Sequence, residues 1–161
     1  VGSASASPAN EVWTRARRVA EVAVVTGLRA ISVHAEDVGR PDSSATPGAE
    51  RTTDVTIEIS TDYQAARKRL LYEVVFAMES PPSRKFPGAS VRVAYRVFVR
   101  LSRPLPFDEQ ELVAFGASTI AMTTYPFFRE ACQSLTARLG RPPTTLGLLT
   151  TPLHDGLRDQ S

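Results

Sequence analysis

Three stretches of this chain alternate apolar and polar side chains with the period of a strand. Val55, Ile57 and Ile59 interleave with Thr56, Glu58 and Ser60. Leu70, Tyr72, Val74, Phe76 and Met78 interleave with a mixed row containing Glu73 and Glu79. Val91, Val93, Tyr95, Val97, Val99 and Leu101 interleave with Arg92, Ala94, Arg96, Phe98 and Arg100. Successive strand side chains point to opposite faces, so each stretch carries one apolar face and one polar or mixed face. Strands of this kind pair antiparallel, and their apolar side needs a covering layer. The stretch from Ser80 to Gly88, rich in proline, reads as a hairpin loop. A weaker fourth strand runs from Leu28 to Val38, with Leu28, Ala30 and Ser32 expected on one face and Arg29, Ile31, Val33 and Ala35 on the other. Between them, GRPDSSATPGAER at 39–51 is too long for a tight turn and suits a mobile crossover.

The cover is legible further on. Asp108 is a helix cap, with Glu109 and Glu111 at the positive end of the dipole. Leu112, Phe115, Gly116, Thr119, Ile120, Met122 and Thr123 follow at three- and four-residue steps, among small residues that permit close approach. Pro126 lies inside this pattern, where it removes a backbone donor at a cost of about 3 kcal/mol. Tyr125, Phe127 and Phe128 flank the expected bend, and Tyr125 and Phe127 read as core that holds it. Gly140, Pro142 and Pro143 end the helix, and a leucine-bearing loop with Leu146, Leu148 and Leu149 follows. A second, shorter amphipathic helix is expected from Glu11 to Val25, with Val12, Trp13, Ala16, Val19, Ala20 and Ala23 on its apolar side. The fold class is therefore α+β: a four-stranded antiparallel sheet with a long kinked helix and a shorter terminal element on one face. Residues 11–153 make one domain, between a tail at 1–10 that is disordered or added for expression and a loose tail at 154–161.

Composition narrows the function. At 161 residues and 42% hydrophobic content the chain supports one core. Its formal charge of +2 lacks the dense basic footprint of a nucleic-acid binder. No apolar run reaches the roughly 18 residues of a membrane span, and no signal peptide opens the sequence, so a soluble cytoplasmic protein is expected. There is no GxxxxGK, GxGxxG, CxxC, HExxH or GxSxG, which removes the common nucleotide, metal and nucleophile frameworks. The single Cys132 and the scattered His34 and His154 read as a structural thiol, a strand residue and a solvated tail residue rather than a catalytic dyad.

The run Tyr125-Pro126-Phe127-Phe128-Arg129-Glu130, then a helical turn or two, then the Pro143–Leu146 loop, resembles the signature of the SecB export-chaperone family. Tyr125, Pro126, Phe127, Arg129, Glu130, Pro143 and Leu146 fall on its positions. The resemblance implies an ATP-independent holdase, without cofactor or metal, that binds unfolded clients through hydrophobic surface and is not an enzyme. Client contacts are then expected at Tyr72, Phe76, Tyr125, Phe128, Leu146, Leu148 and Leu149. Self-association as a dimer of dimers is also implied, because one long helix on one sheet leaves a second helix face, with Ala117, Ile120, Ala121 and Thr124, in need of cover.

Two departures from the family pattern stand out. Thr144 replaces an apolar loop residue. Arg92, Arg96 and Arg100 line the sheet's outer face among Glu58, Glu73 and Glu79, where the family presents acidic surface to the SecA motor. Docking to SecA is accordingly expected to be weak or absent, and a dedicated client such as the antitoxin of a toxin–antitoxin–chaperone system fits. Two other readings use the same elements: a hot-dog enzyme acting on a small ligand, which needs a carboxylate on the apolar side of the sheet, and an oligomeric scaffold with no client groove.

Overall fold

The structure, a computed structural model, describes residues 8–45, 53–104 and 106–149. The expected tail at 154–161, residues 46–51 of the crossover and residues 1–7 of the expected tail at 1–10 lie outside them, whereas residues 8–10 of that tail form the start of a helix. Helix α1 (Pro8–Ala20) leads into β1 (Ala23–Val38). Then come β2 (Asp54–Gln64), a 3-10 turn (Ala65–Arg67), β3 (Arg69–Ser80) and β4 (Gly88–Leu101). Helix α2 (Glu109–Phe115), a π turn (Gly116–Ile120) and α3 (Ala121–Arg138) follow. The strands form one antiparallel sheet in the order β1-β4-β3-β2. Consecutive β1 and β2 are thus opposite edges of the sheet. Among the described residues no helix is long and apolar enough to cross a membrane.

The three alternating rows land as the sequence predicts. Leu70, Tyr72, Val74, Phe76 and Met78 of β3 and Val91, Val93, Val97, Val99 and Leu101 of β4 are buried on one face, under the helices. The fourth strand differs. It begins at Ala23, five residues before the predicted start, and the predicted helix correspondingly stops at Ala20 rather than Val25 and starts at Pro8 rather than Glu11. Two irregularities, between Val25 and Gly27 and between Ala30 and Ser32, each insert one extra residue against β4. A bulge reverses the parity of everything beyond it. Leu28 and Ala30 therefore share the inner face with Val33 and Ala35, opposite Val97, Tyr95, Val93 and Val91, while Arg29, Ser32 and His34 face outward. The simple alternation expected from Leu28 to Ala35 fails at Ile31 for this reason.

The long helix is capped as expected. The Glu111 amide donates to Asp108 Oδ1 at 2.7 Å, and the Asp108 amide donates to Glu111 Oε2 at 3.0 Å, a reciprocal capping box. The helix runs on through Pro126, and its irregular stretch is the π turn that precedes it. Hydroxyls bind back onto carbonyls along this stretch: Ser118 to Ala114 at 2.7 Å, Thr123 to Thr119 at 2.6 Å and Thr124 to Ile120 at 2.8 Å. Such bonds supply donors where the helical ladder is disturbed. Gly140, with φ of 72°, closes the helix in the left-handed conformation that favours glycine, as its Arg141 neighbour donates back to the Thr136 carbonyl at 3.2 Å.

Candidate functional site

The aromatic residues assigned to client contact do come together, but inside the molecule. Phe76 stacks on Phe128 with ring centroids 4.9 Å apart and lies 6.0 Å from Tyr125 and 6.1 Å from Tyr95. Tyr72 lies 6.0 Å from Phe115 and donates its hydroxyl to the Leu112 carbonyl at 2.9 Å. Tyr72, Phe76, Tyr125 and Phe128 are all buried. Burial raises the pKa of both Tyr72 and Tyr125 above the ordinary phenol, and in Tyr72 a hydrogen bond with Thr61 offsets part of the rise. Within the single chain these four rings bind helix to sheet.

The loop after α3 runs back along that helix. Thr144 donates its amide to the Thr136 hydroxyl at 3.0 Å, and Arg129 Nε donates to the Leu146 carbonyl at 2.9 Å. The anchor is the backbone amide of residue 144, which any residue but proline supplies. Arg141 fixes the start of the loop, donating to an Asp37 carboxylate oxygen at 2.8 Å, to the Gly88 carbonyl at 2.7 Å and to the Pro87 carbonyl. Leu146 is consequently buried, Leu149 is half-buried against the core, and Leu148 remains 73% exposed. Of the seven residues assigned to client contact, Leu148 is the one presented freely to solvent.

Ala117, Ile120, Ala121 and Thr124, read as the helix face left for a second subunit, are buried in the single chain. Helix α1 packs over α2 and the π turn that holds Ala117 and Ile120, and adds Val12, Ala16 and Val19 to the core. Trp13, on the other side of α1, is left substantially exposed, and so is Phe127, which was read as core. Phe127 follows Pro126 on the solvent side of α3, away from Tyr125 and Phe128.

The surface that the sequence did not reveal is β1. Of the nine large hydrophobic side chains exposed among the described residues, Val24, Val25, Ile31, Val33 and Val38 sit on this one strand. Val25 and Val33 point to the same face as the core, and the geometry explains why they are nevertheless open. Val33 shares a cross-strand row with Val93 and Phe76, and in that row Phe128 of α3 stacks over Phe76 of β3. The helix layer covers Phe76 and Val93 in this row but stops short of Val33, leaving Val33 54% exposed and Ala30 beside it exposed as well. The inner face of β1 is an apolar shelf along the edge of the helix layer, and the far edge of β1 has no strand paired to it among the described residues. A bulge-broken pattern hid it, because Val33 reads as outward-facing if the alternation is followed through Ile31.

Among the described residues the cysteine and the histidine stand apart. Cys132 is buried in the helix layer, where burial pushes its thiol up to about 12, whereas His34 faces out from the opposite side of the sheet. His154 lies outside the described residues. Among the described residues no three His, Cys, Asp or Glu side chains are grouped as metal ligands, and the apolar row of β4 carries no carboxylate of the kind a hot-dog enzyme requires.

No family model matches the chain. A 45-residue stretch, 28% of this chain, is 44% identical to the SecB-like chaperone Rv1957 of Mycobacterium tuberculosis strain H37Rv, and equally to the SecB-like chaperone MT2006 of strain CDC 1551. The match spans 25% of the length of these curated relatives. In three dimensions the chain is similar to the M. tuberculosis Rv1957 SecB-like chaperone, solved in complex with a ChAD peptide from the Rv1956 HigA1 antitoxin. The TM-score is 0.72 and the identity 23%, over 86% of this chain and 99% of that one. The α+β arrangement described above is the fold of that chaperone.

Proposed function

We propose that this chain, SecB-like in its fold and in its sequence match, is an ATP-independent holdase that retains non-native polypeptide segments, with a dedicated antitoxin among its clients. The observation that carries this reading is the apolar shelf of β1, where Val25, Ala30 and Val33 lie on the core side of the sheet yet outside the cover of the helices. Patches of this kind on a soluble domain mark sites of association. An extended client segment laid on the shelf buries its own apolar side chains there, each leucine or aromatic contributing about 1.5–3 kcal/mol. Several such contacts are needed to outweigh the ordering of the client chain. Exposed Phe127 and Leu148 extend the apolar area beyond the strand. The antitoxin component rests on the complex formed by the Rv1957 chaperone with its antitoxin peptide.

Self-association belongs to the same reading. With Ala117, Ile120, Ala121 and Thr124 already covered, the part of the chain suited to a second copy is the unpaired edge of β1, sixteen residues long and rich in valine. Edge-to-edge pairing uses the backbone groups of β1 and leaves the shelf above it open, so a dimer, and a dimer of dimers, remains able to hold a client. Such a protein works by binding and release, with no chemical step and no cofactor.

Light scattering from an aggregating, chemically unfolded protein tests the proposal. The purified chain is expected to suppress the signal without nucleotide, and an antitoxin-derived peptide is expected to compete. Unchanged aggregation at a several-fold molar excess of the chain would exclude a holdase and leave the scaffold reading.

A further inference from the structure

On the outer face of the sheet, remote from the shelf, charge is distributed unevenly. In the middle of the face the arginines are neutralised across strands: Arg92 pairs with Glu58 at 3.3 Å and Arg96 with Glu73 at 3.2 Å. Toward the Arg69 end they are not. Arg69 and Arg100 are directly opposed cross-strand partners, and with Arg67 from the 3-10 turn they form no ion pair among the described residues. Like charges placed directly opposite each other on adjacent strands are destabilising. These three arginines border a concavity of about 570 Å³ that also takes in Leu71, Phe98 and Asp62. Phe98, 43% exposed, forms an apolar floor one row in from the arginine pair. Gly27, at the β1 bulge, lies opposite Phe98 and also lines the concavity.

We infer that this concavity is a docking site for an extended acidic segment of a protein partner in which a carboxylate is followed, two residues on, by an apolar side chain. The rows set that spacing. Arg69 and Arg100 make one row, Leu71 and Phe98 the next on the same face, and side chains two residues apart on a strand-like peptide advance by the same roughly 6.8 Å. The carboxylate then takes charge-assisted hydrogen bonds from two guanidinium groups, and the apolar residue covers Phe98. A polyanion with phosphates at every step fits worse, because Asp62 lies in the concavity and Glu73 in the following row. The inference concerns the face opposite the client shelf and does not depend on holdase activity.

Fluorescence anisotropy with a short labelled peptide of repeating Glu-Ser-Leu-Ser, in which each glutamate is followed two residues on by a leucine, tests it, with the corresponding Gln-Ser-Leu-Ser peptide and a labelled single-stranded oligonucleotide as the other arms. The acidic peptide is expected to bind and to weaken as NaCl rises from about 0.05 to about 0.3 M. Arg69→Thr with Arg100→Thr is expected to lower its affinity about tenfold or more. Arg92→Thr, whose guanidinium is already paired with Glu58, is expected to leave it unchanged. Threonine keeps strand propensity, so the double variant should melt at or above the temperature of the parent chain as the repulsion is removed. Failure of the acidic peptide to bind, equal binding by the glutamine peptide, tighter binding by the oligonucleotide, or a double variant with unaltered affinity or a lower melting temperature would each overturn the inference.

Discussion

Arg18 Nη1 of α1 lies 2.6 Å from Glu111 Oε1 of α2, joining the shorter helix to the carboxylate that also caps the longer one. Glu111 is 6% exposed, so its charge is desolvated on one side and held by Arg18 and the Asp108 amide on the other. Removing the carboxylate leaves a helix end and a guanidinium without their partner. Glu111→Ala should cost about 2–3 kcal/mol in urea unfolding. Glu111→Gln, which keeps an acceptor for the Asp108 amide, should cost less. A cost for Glu111→Ala no larger than that of an exposed-site substitution, such as Glu109→Ala, would show that α1 docks without this pair.

Gly116 gives a second prediction. Its φ of −59° is open to any residue, and alanine is the better helix former by about 1 kcal/mol. A Cβ there would nonetheless stand 3.0 Å from Tyr72 Cε1 and 3.1 Å from Ile59 Cγ2. The Tyr72 ring cannot yield easily, since its hydroxyl is tethered to the Leu112 carbonyl. Overpacking of about 1–3 kcal/mol should outweigh the propensity gain. Gly116→Ala is therefore expected to lower the melting temperature, and a rise would mean that helix and sheet can separate slightly at no cost.

Alkaline pH should unfold the protein earlier than an exposed set of the same groups would predict. Burial pushes Cys132 from 9.0 up to about 12 and Tyr95 from 10.0 up to about 12, and it raises Tyr125 as well. Each group is bound more tightly to its proton when folded. Its contribution is complete below the unfolded pKa and is lost as pH climbs through the folded one. Stability should fall from about pH 9 toward pH 12, and Cys132→Ala should make that fall shallower in melting curves taken across the range. An identical slope in the variant would show that the tyrosines alone set the alkaline limit.

Core and shelf should separate in function. Phe76→Ala removes a fully buried ring stacked on Phe128 and should cost about 3–5 kcal/mol. Val33→Lys, at an exposed position, should change stability by no more than about 0.5 kcal/mol while weakening suppression of aggregation. Leu148→Ser should behave like Val33→Lys, and Leu146→Ser like a milder Phe76→Ala. Equal suppression by the Val33→Lys and Leu148→Ser variants and the parent chain would move client contact away from the shelf and the loop.

Much of the architecture is legible in the residues because burial enforces it. Val91 to Leu101 alternate cleanly since one face of β4 lies under helices along its length, and Asp108 with Glu111 announces a helix start by the bonds that those two side chains alone can make. The surface was harder. Tyr72, Phe76 and Phe128 are large and aromatic, and large aromatic residues suit a core and a client groove equally well. Only the position of α3 over β3 decides between them. On β1 the cue was absent, since a bulge leaves no fixed residue signature, and Thr26 and Ile31 do not declare themselves as insertions. Arg92, Arg96 and Arg100 read as one row among glutamates, and only the register shows that Arg92 and Arg96 pair with Glu58 and Glu73 while Arg100 faces Arg69.

The strand order carries a consequence for the birth of the molecule. β1 is synthesised first, yet its only strand partner among the described residues is β4, and Val38 must wait for Gly88, roughly fifty residues later, before that pairing can begin. At about 5–20 residues per second, the interval on a ribosome is some seconds. Throughout it the valines of β1 lack their strand partner, while β2 and β3 can already pair through the 3-10 turn between them. Before it is finished, this chain itself carries a naked aliphatic segment of the kind it is proposed to shelter, so an assembled copy nearby would meet its own nascent sibling as a first client.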